Sequence, residues 1–265
     1  MKKATIFIVS LISASLLGAP LAHADDTVYP VKANSDATVT LEDDKGEGGE
    51  TTGPGGGEEG GGGGETIIPP GGGEGGEGGV VDPSQKTSLR LSLLTAFDFG
   101  SIKMSGNTET YVANLPTPNF VEGGQKERPN FIQVTDNRGN LAGWNVTAKI
   151  AQQFTNGATT LDGSFITLDN GWTAPQAEDN KEFAPTVTNG TVTLSTDDAA
   201  PIASAAVEKG MGTWNIMYGT LYAPDQPTLG DAKTSVNLTI PGSIKKTEGK
   251  YTAKIEWTLS DAPAK

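Results

Sequence analysis

Residues 251–259 read Tyr-Thr-Ala-Lys-Ile-Glu-Trp-Thr-Leu. Side chains alternate across an extended chain, so Tyr251, Ala253, Ile255, Trp257 and Leu259 share one face. Thr252, Lys254, Glu256 and Thr258 share the other. Apolar and polar residues that alternate this strictly predict a β-strand with one face buried and one in water.

Upstream of this strand the same reading recurs. Leu238 and Ile240 share a face with Val236 before the turn signal Pro241-Gly242. Trp214, Ile216 and Tyr218 share a face, as do Val192 and Leu194 after Asn189-Gly190. Phe165-Ile166-Thr167-Leu168 runs into Asp169-Asn170-Gly171. Trp144, Val146, Ala148 and Ile150 alternate with Asn145, Thr147 and Lys149. Ile132 pairs with Val134, and Leu89, Leu91 and Leu93 alternate. Short strands punctuated by Gly, Pro and Asn predict an all-β fold, an antiparallel β-sandwich or a barrel-like domain, over residues 84–265. No long stretch has helical periodicity, although Pro201 to Gly210 has room for one helical turn.

The first residues belong to a different class. Lys2 and Lys3 precede a mostly apolar run from Thr5 to Leu17, and Ala22-His23-Ala24 has the small-residue pattern of a cleavage site. Residues 1–24 therefore read as a secretory signal peptide. No later stretch approaches the ~20 apolar residues of a membrane span, so no transmembrane segment is expected. The chain has no Cys, and its one His, His23, leaves with the signal. Disulfides, thiol nucleophiles, His–zinc sites and imidazole general bases are thereby excluded from the mature chain. A secreted chain without disulfides points to a Gram-positive source.

The acidity is concentrated in one segment. The whole chain carries a formal net charge of −13, and residues 42–83 hold 11 acids against Lys45 alone, a net −10. Residues 46–79 contain 19 of the 36 glycines. Such a stretch cannot bury enough apolar surface to offset its ordering entropy, and 42–83 reads as a disordered Gly/Glu-rich low-complexity tether. The remainder is near neutral and has no basic surface to neutralise phosphates, so nucleic acid is not a partner. Residues 25–41 form a short N-terminal segment containing a strand candidate, Ala37 to Leu41. It either joins the main sheet, making the tether a long internal connection, or ends as a frayed terminus.

Four blocks carry a family resemblance: FIQVTDNRGNLAGWNVTAKI at 131–150, TWNIMYG at 213–219, VNLTIPG at 236–242 and YTAKIEWTLSDAP at 251–263. Their order and spacing resemble the WxL domain of Gram-positive surface proteins. The first tryptophan motif departs from the pattern, with Val146 where the family has Leu. The resemblance implies a non-catalytic protein, secreted to the cell surface and held there by non-covalent peptidoglycan binding, with no cofactor or metal. The partners it implies are peptidoglycan, a membrane-anchored WxL-interacting protein, other WxL surface proteins and host matrix proteins. Attachment through such a protein complex, with the wall reached indirectly, is the alternative.

Trp144 and Val146, and Trp257 and Leu259, lie on the apolar faces of their strands. They read either as core signatures of the family or as an exposed ligand platform. If they are core, recognition falls to loops. Residues 106–130 carry Tyr111, Phe120, Lys126 and Arg128, and residues 219–233 carry Tyr222. Trp172 follows a hairpin turn with no apolar partner series visible around it, which makes it the leading candidate for an exposed aromatic. An aromatic can lie against a sugar ring, and a cation can meet a carboxylate. Several motifs carry nothing further. Asp98-Phe99-Gly100 lacks the rest of the kinase set and reads as a strand end, and Ser243-Ile244-Lys245-Lys246 lacks the companions of its catalytic namesake. Asp162, Asp169, Asp197 and Asp198 supply acids, but nothing singles out a glycosidase pair.

Overall fold

The computed structural model describes residues 30–42, 80–81, 83, 85–120, 124–176, 178–221 and 232–261. The segments read as signal peptide and tether lie outside the described residues apart from Glu42, Val80, Val81 and Pro83. Among the described residues, seventeen strands and two short 3-10 helices, Glu178–Phe183 and Ala232–Thr234, make up the regular structure. Three larger sheets enclose one core.

The six-stranded sheet contains β1 (Val31–Glu42), β4 (Phe97–Lys103), β9 (Trp144–Thr155), β12 (Thr186–Val187), β14 (Ala200–Ala205) and β17 (Gly249–Ser260), in the order β12-β14-β9-β17-β1-β4. The stretch 251–259 is thus an interior strand. β1 is interior as well. It runs antiparallel to β17 from Val31↔Leu259 to Leu41↔Gly249, and parallel to β4 on its other side. That parallel pair departs from the otherwise antiparallel plan. It arises because β1 is spliced between two strands distant from it in sequence, so no hairpin sets its direction.

Ala33, Ser35, Ala37, Val39 and Leu41 of β1 are all buried. The strand candidate 37–41 is therefore part of a longer strand inside the main sheet. A boundary at residue 84 would cut this strand from the sheet it completes.

The five-stranded sheet runs β11 (Gly171–Pro175), β15 (Gly212–Tyr218), β8 (Asn130–Asp136), β3 (Leu89–Thr95), β2 (Val80–Val81). The four-stranded sheet runs β13 (Val192–Leu194), β10 (Phe165–Leu168), β16 (Val236–Ile240), β5 (Glu109–Val112). A small hairpin pairs β6 (Asn119–Phe120) with β7 (Gly124–Gln125). The periodic apolar residues of each sheet meet in one cluster, from Leu41 and Leu91 through Ile132, Ile166 and Leu238 to Trp257.

Three expectations change. Leu89 and Leu91 enter the main core, but the register with β8 shifts between Leu91 and Leu93. One extra residue reverses which way the following side chains point, so Leu94 joins the core and Leu93 the opposite face. Asp98-Phe99-Gly100 lies inside β4 and does not end it; Gly100 takes φ 67° there and its N–H donates to Asp98 Oδ1 at 2.9 Å. Residues 200–205 form β14 where a helical turn had room, because Ile202, Ala203 and Ala205 bury against β9.

Candidate functional site

The two tryptophan motifs lie side by side. Leu259 pairs with Val146 and Trp257 with Ala148 across β17 and β9. Trp144, Val146, Trp257 and Leu259 are each 0% exposed. Burial of an indole requires a partner for its N–H. Trp257 Nε1 donates to Ser35 Oγ at 2.9 Å, and its ring meets Phe97 edge-on at a centroid distance of 6.4 Å. Trp144 Nε1 donates to the Gly210 carbonyl at 3.1 Å. Gly210 has φ 80°, and a Cβ there would collide with Trp144 and Ala205, so only glycine closes this lid over the indole. The turn into β9 is fixed by Arg138, whose Nε and Nη2 donate to Asp136 Oδ1 and Oδ2 at 2.9 and 2.8 Å, with a further bond from Nη2 to the Gly143 carbonyl at 2.7 Å.

The loop candidates scatter. Tyr111 is on β5, the edge of the four-stranded sheet, half-buried against the core; burial, then the Glu109 carboxylate, pushes its hydroxyl pKa up. Arg128 is half-buried in the connection to β8, where its backbone N–H donates to the Pro116 carbonyl at 2.9 Å. The backbone of Phe120 forms β6, but its side chain lies outside the described residues, as does Tyr222 altogether. Tyr111 and Trp172 belong to different sheets.

Trp172 is half-buried on β11, at the outer face of the five-stranded sheet. It has the apolar partners that its sequence neighbourhood hid: Leu93, Phe131, Ala174 and Met217 form a second cluster beside it. Leu93, Phe131 and Met217 arrive from other strands and only the small Ala174 shares β11, so no local series announces them. Trp172 Nε1 donates to the Gly219 carbonyl at 2.8 Å, which fixes the ring.

Around Trp172 this outer face is organised in rows. Trp172, Met217 and Phe131 are in register across β11, β15 and β8. Ala174, Asn215 and Gln133 form the next row, where Gln133 Nε2 donates to Asn215 Oδ1 at 3.0 Å. Thr213 and Thr135 form the third, their hydroxyls 2.9 Å apart, and Ser92, at the shift in β3, brings its own hydroxyl 2.7 Å from Thr135. The sequence marks Gln133, Thr135, Thr213 and Asn215 only as the polar halves of alternating strands. Their assembly depends on strand order, which one strand's pattern does not carry.

The family model for the WxL domain, described as surface cell wall-binding, matches residues 29–263. No curated protein and no solved structure matches the chain. The matched span takes in β1 as well as both tryptophan motifs, and it covers most of the sequence. The chain belongs to the WxL family, whose domain binds the cell wall non-covalently at the cell surface.

Proposed function

We propose that the chain acts as a non-catalytic wall module that holds peptidoglycan directly, through surface outside its tryptophan motifs. The observation that carries this reading is the full burial of Trp144 and Trp257 within a match to a wall-binding family. A residue closed off from solvent by its own core supports the fold and has no face left for a ligand. The candidate acids suit this reading. Asp162, Asp197 and Asp198 are exposed, and Asp169 accepts hydrogen bonds from Thr191 and Asn237. The test is co-sedimentation of the mature chain, residues 25–265, with sacculi stripped of protein and teichoic acid. Saturable binding is expected; a folded chain that stays in the supernatant would sink the proposal.

A second reading, docking to a membrane-anchored partner, is favoured by the edge strand β5. Its Val112 is 50% exposed, and an edge strand can accept a further strand from another protein. Substituting Pro for Thr110 should abolish docking of that kind while leaving sacculus binding intact.

A further inference from the structure

We infer that the outer face of the five-stranded sheet is the surface that holds the glycan of the wall, an inference that rests on the wall-binding reading above. Three features of the face fit an N-acetylated, polyhydroxylated ligand.

The first is hydrogen-bonding capacity. The cross-strand bond between Gln133 and Asn215 uses one N–H and one carbonyl of the two amides. One acceptor and donor N–H groups are left over, whichever way the two amides are turned. An acetamido group presents the complementary carbonyl and N–H. Next to the amides stand the half-buried hydroxyls of Ser92 and Thr213, held in place by the buried Thr135 hydroxyl between them, and these two offer the donor–acceptor groups that sugar hydroxyls require.

The second is the indole. Trp172 is half-buried, with its N–H already bonded to Gly219, so part of its apolar surface stays accessible and its position is set before any ligand arrives. Trp144, Trp214 and Trp257, the other three of the four tryptophans, are at most 1% exposed. Successive rows lie two residues apart along the strands, so the strip from indole to hydroxyls runs roughly 13–14 Å, room for a short glycan segment. Groups mounted on strands hold such spacing better than groups on loops.

The third is charge. The chain carries −13 overall, yet the rows from β11, β15, β8 and β3 present no carboxylate, and Arg90, in register with Thr135, is their one charged residue. A ligand that carries acidic groups therefore meets no local repulsion on this face.

The deciding experiment uses the mature chain and stripped sacculi. Gln133→Ala combined with Asn215→Ala is compared with wild type and with Thr258→Ala on the outer face of the six-stranded sheet. Circular dichroism and thermal melts establish that each is folded. The expected result is an affinity loss of about tenfold or more for the amide variant, none for Thr258→Ala, and little change in Tm. A second readout needs no sacculi. Soluble N-acetylglucosamine oligomers should change tryptophan emission in wild type and not in Trp172→Phe. Saturable binding by wild type with the amide variant within about twofold overturns the assignment of the face and leaves the wall-binding reading standing. A folded wild type that does not bind sacculi overturns that reading, and this inference with it.

Discussion

The six-stranded and five-stranded sheets present opposite chemistry to water. On the six-stranded sheet, Lys32 pairs with Glu256 at 3.0 Å and Lys254 with Asp36 at 2.9 Å, and Lys149 lies in register with Glu256. This is a solvated surface whose exposed ion pairs contribute little to stability. The five-stranded sheet shows amides, hydroxyls and an indole instead. Inside, the order reverses. The six-stranded sheet satisfies its large polar side chains: Trp257 finds Ser35, Trp144 finds Gly210, and the Tyr251 hydroxyl is held by Thr159 and Thr247. Beneath the five-stranded sheet, the buried Tyr218 hydroxyl has no hydrogen-bond partner among the described residues. One sheet is refined as a scaffold, and the other keeps its specific groups on its outside.

The largest effect that could break this contrast comes from removing β1. A chain beginning at residue 84 loses the strand between β17 and β4 and uncovers Trp257. The loss is comparable with the ~5–15 kcal/mol that holds a domain folded, so urea melts should show no cooperative transition. A sharp melt would mean that the six-stranded sheet is not the scaffold. Next comes Trp257→Ala, expected to cost about 3–5 kcal/mol in chemical denaturation. Trp172→Ala should cost less, because its ring is only half-buried, while weakening sacculus binding more than any substitution on the charged face. Equal stability costs at the two positions would erase the distinction between core and surface indole.

The smallest effect concerns Tyr218. Burial raises its pKa in the folded protein, whereas an unfolded tyrosine titrates near ~10. Above that pH the unfolded chain releases the proton first, so this residue lowers stability as pH rises through ~10. Tyr218→Phe should leave stability at neutral pH unchanged or raised by up to about 1 kcal/mol, since it removes an unpaired buried hydroxyl. It should also flatten the alkaline loss measured by urea melts across that range. An unaltered alkaline profile would show that burial does not hold the Tyr218 proton in the folded protein.

Much of this architecture was legible in the sequence because a strand with one buried face writes its own pattern. Trp144 to Ile150 and Tyr251 to Leu259 alternate without a break, and each buried residue is where the alternation puts it. Leu93 was misplaced because a one-residue shift leaves no mark in a run of leucines. The site was legible only in part. Trp172 stood out as an aromatic after a turn, but its partners Leu93, Phe131 and Met217 come from β3, β8 and β15, and Gln133 meets Asn215 82 residues away. Alternation tells which way a side chain points. It does not tell which strand lies alongside.

The pairing of β1 with β17 has a consequence for the order of events during export. Ser35 and Trp257, joined by a hydrogen bond, are 222 residues apart. A polypeptide threaded through a membrane N-terminus first delivers β1 before the other described strands and β17 after them. β1 must therefore wait, unpaired along that edge, until β17 has crossed. Contacts of such long sequence separation close slowly. Here they also act as a completeness check, because a chain cut short before β17 has nothing with which to cover that edge of β1.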